Sequence, residues 1–343
     1  MAHSPDIFFM APPGYLQEHF WRGPSRQRAA ALGYEVRLNP REAPSDPADW
    51  ADLLAGVEAL LTTWGSPRLD EAVLARNTTL RIVGHVGGSV ATIASPALFE
   101  RGVHLCTANP IMARTVAEWA LMMTLVGLRG LVGYAQVGAG GDLDWPQRHT
   151  NRIPEEATVG IWGYGDVARR LIELLRPLGF GRIAVCDEYL TAQTAAAEGL
   201  DKVDFDCLFA EADVVHCLVG LTEANKGQVG ADQLAALRDG TTLINCGRAA
   251  LVQEDALIAA LGEGRFSAIM DVFEAEPLAD DHPYRDLPNV ILTPHNAGFG
   301  RDAYYLGAML DEFGRHFRGE PLQLEVTAER ALAMTDASLM RGR

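Results

Sequence analysis

The segment Thr158-Val-Gly-Ile-Trp-Gly-Tyr-Gly-Asp-Val-Ala168 runs from an apolar stretch through two glycines into Arg169-Arg-Leu-Ile-Glu-Leu-Leu175, whose apolar positions recur at helical spacing. Strand, glycine turn and helix in that order open a βαβ unit. The turn reads G-x-G-x-x-A. Gly163 permits the tight turn, Gly165 lets backbone approach a pyrophosphate, and Ala168, in place of a third glycine, is small enough for helix and strand to pack closely. Gly163, Tyr164, Gly165, Asp166 and Val167 are therefore the candidate cofactor-binding segment, with phosphate on the orphan N–H groups and positive dipole end of the helix. A second strand, Arg182 to Cys186, ends at Asp187, 24 residues after Gly163. An acid there accepts hydrogen bonds from ribose hydroxyls and repels a 2′-phosphate, which predicts NAD (NADH) rather than NADP.

Outward from this segment, strands and helices alternate. Toward the N-terminus, strands are predicted at 6–10, 34–38, 59–63, 81–86 and 103–106, with helices at 22–32 and 49–54 between them. A long apolar helix is predicted from Thr115, then a Gly- and Asp-rich arm from Gly138 to Pro154. The βα pattern resumes to about Pro294, and a last helix spans 300–318. Such alternation predicts an α/β fold with parallel sheets covered on both faces. At 343 residues, about two domains are expected.

Composition narrows the function classes. Apolar residues make up 48% and charged residues 22%, as in a globular chain. The net charge of −16 disfavours a nucleic-acid partner. No run of 18 consecutive apolar residues occurs, so no membrane span is expected, and the first residues lack the pattern of a signal peptide. Five scattered cysteines with no C-x-x-C fit neither a disulfide framework nor a zinc site; no metal is expected, and a reducing cytoplasm is.

Three further segments follow the strand–loop–helix pattern and place polar side chains past strand ends, where ligands bind in a doubly wound sheet. Thr241-Thr-Leu-Ile-Asn-Cys-Gly-Arg248 presents Arg248. Ser267-Ala-Ile-Met-Asp-Val-Phe-Glu-Ala-Glu276 presents Asp271 and Glu276. Asn289-Val-Ile-Leu-Thr-Pro-His295 presents His295. Hydride transfer to a ketone leaves a developing alkoxide that needs a proton. Histidine titrates in the right range to give it. A carboxylate beside it holds the ring and favours the imidazolium. An arginine fork clamps a substrate carboxylate and polarises the carbonyl.

These motifs, together with Ala212-Asp-Val-Val and Leu221-Thr-Glu-Ala-Asn, resemble the D-isomer-specific 2-hydroxyacid dehydrogenase family from about Asp49 to Phe317. The resemblance implies Arg248, Glu276 and His295 as the catalytic set. It adds Thr222, Cys246, Asp271 (toward the carboxamide) and His295 to the cofactor-binding residues. Gly87, Gly88 and Ser89, with Arg248 and His295, are implied to bind substrate, although the Gly-x-Asp/Asn usual in that loop is missing. Other departures are Ala249 after Arg248, and Leu218 and Gly220 where His and Pro are common.

The expected architecture is two doubly wound domains. A Rossmann NAD-binding domain, 113–296, is inserted into a flavodoxin-like substrate domain, 1–112 and 297–343, with substrate in the cleft between them. The long helix and the arm to Trp145 resemble the family's dimer contacts, and that resemblance implies a homodimer. The implied activity is reversible, NADH-linked reduction of a small 2-oxo acid to a D-2-hydroxy acid. Two alternatives stay open: a phosphite-type dehydrogenase, which keeps the Glu, and an NAD(H)-sensing, corepressor-like binding protein. Formate oxidation is disfavoured, because formate enzymes of this family pair the His with Gln rather than Glu.

Overall fold

The computed structural model describes residues 5–42, 46–132 and 151–333. The chain divides into two compact units, Met1–Met112 with Phe299–Arg343, and Ala113–Gly298. The expected arm from Gly138 to Trp145 lies outside the described residues.

The first unit holds a five-stranded sheet of β1 (Ile7–Phe9), β2 (Val36–Leu38), β3 (Ala59–Thr62), β4 (Ile82–His85) and β5 (His104–Thr107). Its order is β2-β1-β3-β4-β5 and every pair is parallel, the flavodoxin-like arrangement expected. Residues of β1, β3 and β4 are buried throughout, which is why these strands read as continuous apolar runs. The helix Asp302–Phe317 packs Met309 and Phe313 against Gly84, where a Cβ would come within 2.7 Å of Met309 Cβ.

The second unit holds β6 (Thr158–Trp162), β7 (Arg182–Cys186), β8 (Asp201–Lys202), β9 (Val214–Cys217), β10 (Thr242–Asn245), β11 (Ser267–Met270) and β12 (Val290–Leu292). The order β12-β11-β10-β9-β6-β7-β8, all parallel, is the doubly wound Rossmann order with one strand added at the β12 edge. The order reverses between β6 and β9, and that switch point fixes where a ligand belongs.

Several boundaries differ from the sequence reading for identifiable reasons. The long helix is Asn109–Leu128, starting six residues before Thr115. Pro110 near its start suits a first turn, where a missing N–H costs nothing. The helix at 49–54 begins at Pro47, because the Asp46 side chain accepts from Ala48 N. The second strand starts at Val36 rather than Tyr34, because Tyr34 N bonds back to Ala29 O around Gly33, which sits at φ 71°.

The absence of an 18-residue apolar run did not anticipate one property of the long helix. Its 20 residues, with a hydropathy of 1.4, are long and apolar enough to cross a membrane by length and composition. It nevertheless carries Arg114 and Glu118, and Ala117 and Ala120 are fully buried in the core of the second unit. Its apolar surface packs in part against that core, through Trp119 and Leu121 as well.

The segment after Pro321, which reads as nondescript, is tied to the first sheet. Thr107 N bonds Leu324 O and Val326 N bonds Leu105 O, an antiparallel bridge onto β5. Val326 and Ala331 enter the core. Glu312, fully buried on the last helix, accepts from Gln323 N at 2.7 Å and Leu324 N at 3.1 Å and pairs with Arg315.

Candidate active site

The glycine turn occupies the switch point of the second sheet. Gly163 sits at φ 103°, and a Cβ there would lie 2.6 Å from Val219 N and 2.7 Å from Val219 Cα. The loop leaving β9 thus touches the turn leaving β6, backbone to backbone, which only glycine allows. Two residues on, Gly165 has φ −82° and is the N-cap of the helix Asp166–Leu175, with no side-chain cap; a Cβ there would meet nothing within 4 Å. An uncapped helix start with open space over a glycine is the shape a pyrophosphate needs. Ala168 is fully buried under the helix. Among the described residues, no group of three or more His, Cys, Asp or Glu side chains could hold a metal ion.

Asp187 does more than begin a turn. Its Oδ2 accepts from Tyr164 N at 2.8 Å, and its Oδ1 accepts from Tyr189 N at 2.8 Å and Leu190 N at 3.0 Å. The carboxylate ties the glycine turn to the loop after β7. Those three bonds leave part of its acceptor capacity for a ribose. Tyr164 is buried; burial and a bond to Glu198 push its phenol up, while Arg169 lies 4.8 Å over its ring. In the loop after β9, Thr222 N donates to Asn225 Oδ1 at 2.8 Å, and Asn225 Nδ2 donates to Gly220 O at 2.7 Å, so this loop is internally braced.

The rim past β10, β11 and β12 carries the predicted catalytic residues. Asn245, fully buried, shapes the loop after β10: Oδ1 accepts from Gly247 N at 3.1 Å and Nδ2 donates to Arg248 O at 3.0 Å. A Cβ on Gly247 would lie 2.7 Å from Cys217 O, so the loop hugs the end of β9. Arg248 emerges from it with its NH1 group on Gly247 O at 2.7 Å. Burial, reinforced by the Asp271 charge, pushes the Cys246 thiol far up, so it is not a nucleophile.

His295 and Glu276 meet. His295 Nδ1 lies 2.7 Å from Glu276 Oε1, and the same oxygen accepts from Phe273 N at 3.2 Å. Both side chains are about one quarter exposed. With Nδ1–H donating to the carboxylate, Nε2 is the nitrogen left for substrate. His295 is the one non-glycine residue of positive φ among the described residues, at φ 50°. Such a conformation costs on the order of 1–3 kcal/mol and persists only where the surroundings impose it. Asp271 is what imposes it. Its Oδ1 accepts from Thr293 Oγ1 at 2.6 Å and Asn296 N at 2.9 Å, and its Oδ2 accepts from Ala297 N at 3.0 Å, bracketing His295 on both sides. Asp271 is 1% exposed, so its visible work is to hold the His295 loop, a role the sequence gives no sign of.

The fingerprint of this unit matches the NAD binding domain of the D-isomer specific 2-hydroxyacid dehydrogenases over residues 121–297. The chain belongs to that family. It is an NAD-dependent dehydrogenase by family, and the match lies within the second unit. Over 248 residues it is 32% identical to the (S)-sulfolactate dehydrogenase of Chromohalobacter salexigens, covering 71% of this chain and 79% of that one. It is 31% identical to glyoxylate/hydroxypyruvate reductase B of Yersinia enterocolitica, covering 71% and 74%. Among solved structures, a phosphoglycerate oxidoreductase from Rhizobium etli superposes with TM-score 0.77 at 26% identity, covering 95% of this chain and 99% of that one.

In the first unit of this family member, Gly87, Gly88 and Ser89 follow β4. Thr107 Oγ1 donates to Gly87 O at 3.1 Å and Gly88 O at 2.7 Å. In a trans peptide the N–H opposes the C=O, so the N–H groups of Gly88 and Ser89 point away from Thr107. Neither donates to another described residue. Gly87 cannot be larger, since a Cβ would lie 2.6 Å from His85 Nε2 and 3.2 Å from Trp64 Nε1. His85 is buried, with Nδ1 3.0 Å from Thr62 Oγ1; burial pulls its pKa down to about 4, so the ring is neutral.

Proposed function

We propose that this dehydrogenase reversibly reduces a 2-oxo acid to a D-2-hydroxy acid with NADH. What carries the proposal is the His295–Glu276 pair, 2.7 Å apart at a strained backbone position on the carboxyl rim of the sheet. In reduction, His295 gives the Nε2 proton to the former carbonyl oxygen, while Nδ1–H stays on Glu276, whose charge stabilises the imidazolium before transfer. Arg248 clamps the substrate carboxylate and polarises the carbonyl. Within the first unit, the N–H groups of Gly88 and Ser89 are two donors of the kind a carboxylate accepts. Asp271 is a positioning residue for His295. Gly163 to Val167 hold the pyrophosphate and Asp187 the ribose, and the Asp187 charge favours NADH over NADPH. Bound there, the cofactor's nicotinamide supplies the hydride for reduction and takes it in oxidation.

The test follows NADH oxidation with glyoxylate, hydroxypyruvate, pyruvate and phenylpyruvate, with NADPH run in parallel and chiral analysis of the product. Turnover to the D-product, preferring NADH and falling at least about a hundredfold in His295→Asn while NADH still binds, is expected. No turnover with any acid, or turnover that survives His295→Asn, would overturn the assignment. We also infer a homodimer, supported by the half-exposed Met122, Leu131 and Ile153. Light scattering at micromolar concentration should give twice the chain mass; a monomer would refute it.

A further inference from the structure

Aromatic rings from three separate stretches of the first unit join in one run. Trp64, in the loop after β3, lies 5.4 Å from Phe20 and 6.0 Å from Phe299, centroid to centroid. His19 lies 4.9 Å from Phe20 and 6.0 Å from Phe299, and Tyr15 stacks on His19 at 5.3 Å. These are the spacings at which aromatic pairs attract. Phe20 is fully buried and backs the run, whereas Phe299 is 41% and Tyr15 68% exposed. Leaving that much ring surface in water is unfavourable unless something covers it.

The run begins at the glycine loop. The Cβ position of Gly87 is 3.2 Å from Trp64 Nε1, and that of Gly88 is 3.0 Å from Met112 Sδ. In a 2-oxo acid the side chain leaves two carbon–carbon bonds of about 1.5 Å from the carboxyl carbon. An acid whose carboxylate sits on the Gly88 and Ser89 N–H groups therefore brings its side chain against Trp64 and Met112 and on toward Phe299. Charge decides what kind of side chain suits this wall. One cation beside it, Arg22, is bound to Asp302 Oδ2 at 2.5 Å, and His19 Nε2 lies 2.7 Å from the same oxygen. That carboxylate is 8% exposed, and its own charge would repel a phosphate, sulfonate or second carboxylate reaching toward Arg22.

We propose that the physiological substrate is a 2-oxo acid bearing an aromatic ring, an arylpyruvate, whose ring lies on Trp64 and Phe299. This rests on the dehydrogenase assignment above. It goes beyond that assignment by naming the side chain and the residues that select it.

The experiment compares kcat/KM for phenylpyruvate, glyoxylate, 3-phosphohydroxypyruvate and 3-sulfopyruvate in the wild type, Phe299→Ala and Trp64→Leu. Calorimetric titration of 3-phenyllactate against lactate into the NAD-loaded protein runs beside it. Phenylpyruvate should exceed glyoxylate by at least about tenfold and both charged acids by more. Phe299→Ala should cut the phenylpyruvate-to-glyoxylate ratio by about tenfold, the scale of one lost aromatic contact. Phe299 is partly exposed, so this variant should fold even if Trp64→Leu does not. Glyoxylate or a charged acid as the best substrate, or an unchanged ratio in Phe299→Ala, overturns the arylpyruvate assignment and leaves the dehydrogenase standing. If no acid is reduced, the dehydrogenase assignment fails, and the titration still decides the aromatic wall. 3-Phenyllactate binding no tighter than lactate would overturn it.

Discussion

Gly163 and Gly165 stand two residues apart in one motif, and the structure gives them different jobs. An alanine at 163 must adopt φ near 103° and place its Cβ 2.6 Å from Val219 N. The positive φ costs about 1–2 kcal/mol. Forcing the β9 loop back adds about 1–3 kcal/mol, as overpacking against backbone does. Gly163→Ala should therefore lose about 2–5 kcal/mol of stability without any cofactor present. An alanine at 165 meets nothing within 4 Å and keeps an ordinary φ of −82°, so its cost is that of a poorer N-cap, about 1 kcal/mol at most. Its methyl group fills the space over the helix start where the pyrophosphate would sit. Losing one charge-assisted hydrogen bond there is worth about 1.5–3 kcal/mol, or about ten- to a hundredfold in NADH affinity. Guanidinium denaturation of the cofactor-free proteins reads the first quantity and NADH fluorescence titration the second. Gly165→Ala binding NADH within twofold of wild type would refute the phosphate cradle. Gly163→Ala with wild-type stability would refute the contact between the two loops.

Two further outcomes concern the scaffold. Glu312→Ala leaves Arg315 and the Gln323 and Leu324 N–H groups without their buried acceptor and should cost about 3–5 kcal/mol in denaturant unfolding; a loss under about 1 kcal/mol would show that the C-terminal strap does not depend on it. Burial pulls the His85 pKa down to about 4 and that of His216 to about 3, so in the fold both are neutral where the unfolded chain, near 6.5, takes up protons. Stability should therefore fall on acidification, by about 1 kcal/mol for each histidine between pH 7 and 5.5, and less steeply in His85→Gln. Stability flat across that interval would contradict the neutral, buried state of the two rings.

What the sequence made legible follows from local causes. Parallel strands buried on both faces read as apolar runs, as Ala59 to Thr62 does. The glycine turn is legible because each of its positions answers a local steric demand. The Arg248, Glu276 and His295 segments were legible because each follows its own strand. What was hidden depends on residues distant in the chain. Glu312 sits in a helical pattern that reads as surface, and it is buried only because residues 323 and 324 return to it. The bonds from Asp271 to the His295 loop cross 22 to 26 positions, and nothing local marks them. The aromatic wall draws on positions 15, 19, 20, 64 and 299, which share no spacing. The long helix starts at Asn109 rather than Thr115, because the apolar run begins only at Val116 while Pro110 suits a helix's first turn.

The central claim is that His295, charged with the help of Glu276, is the proton donor. The pH dependence of kcat/KM for 2-oxo acid reduction tests it most directly, measured in wild type and Glu276→Gln. Reduction needs the imidazolium, so activity should fall as pH rises through the histidine's titration. Removing the carboxylate charge 2.7 Å away disfavours that cation, and the fall should move to lower pH. A limb that stays in place, or moves to higher pH, would contradict the assignment of His295 and Glu276 as the acid and its partner.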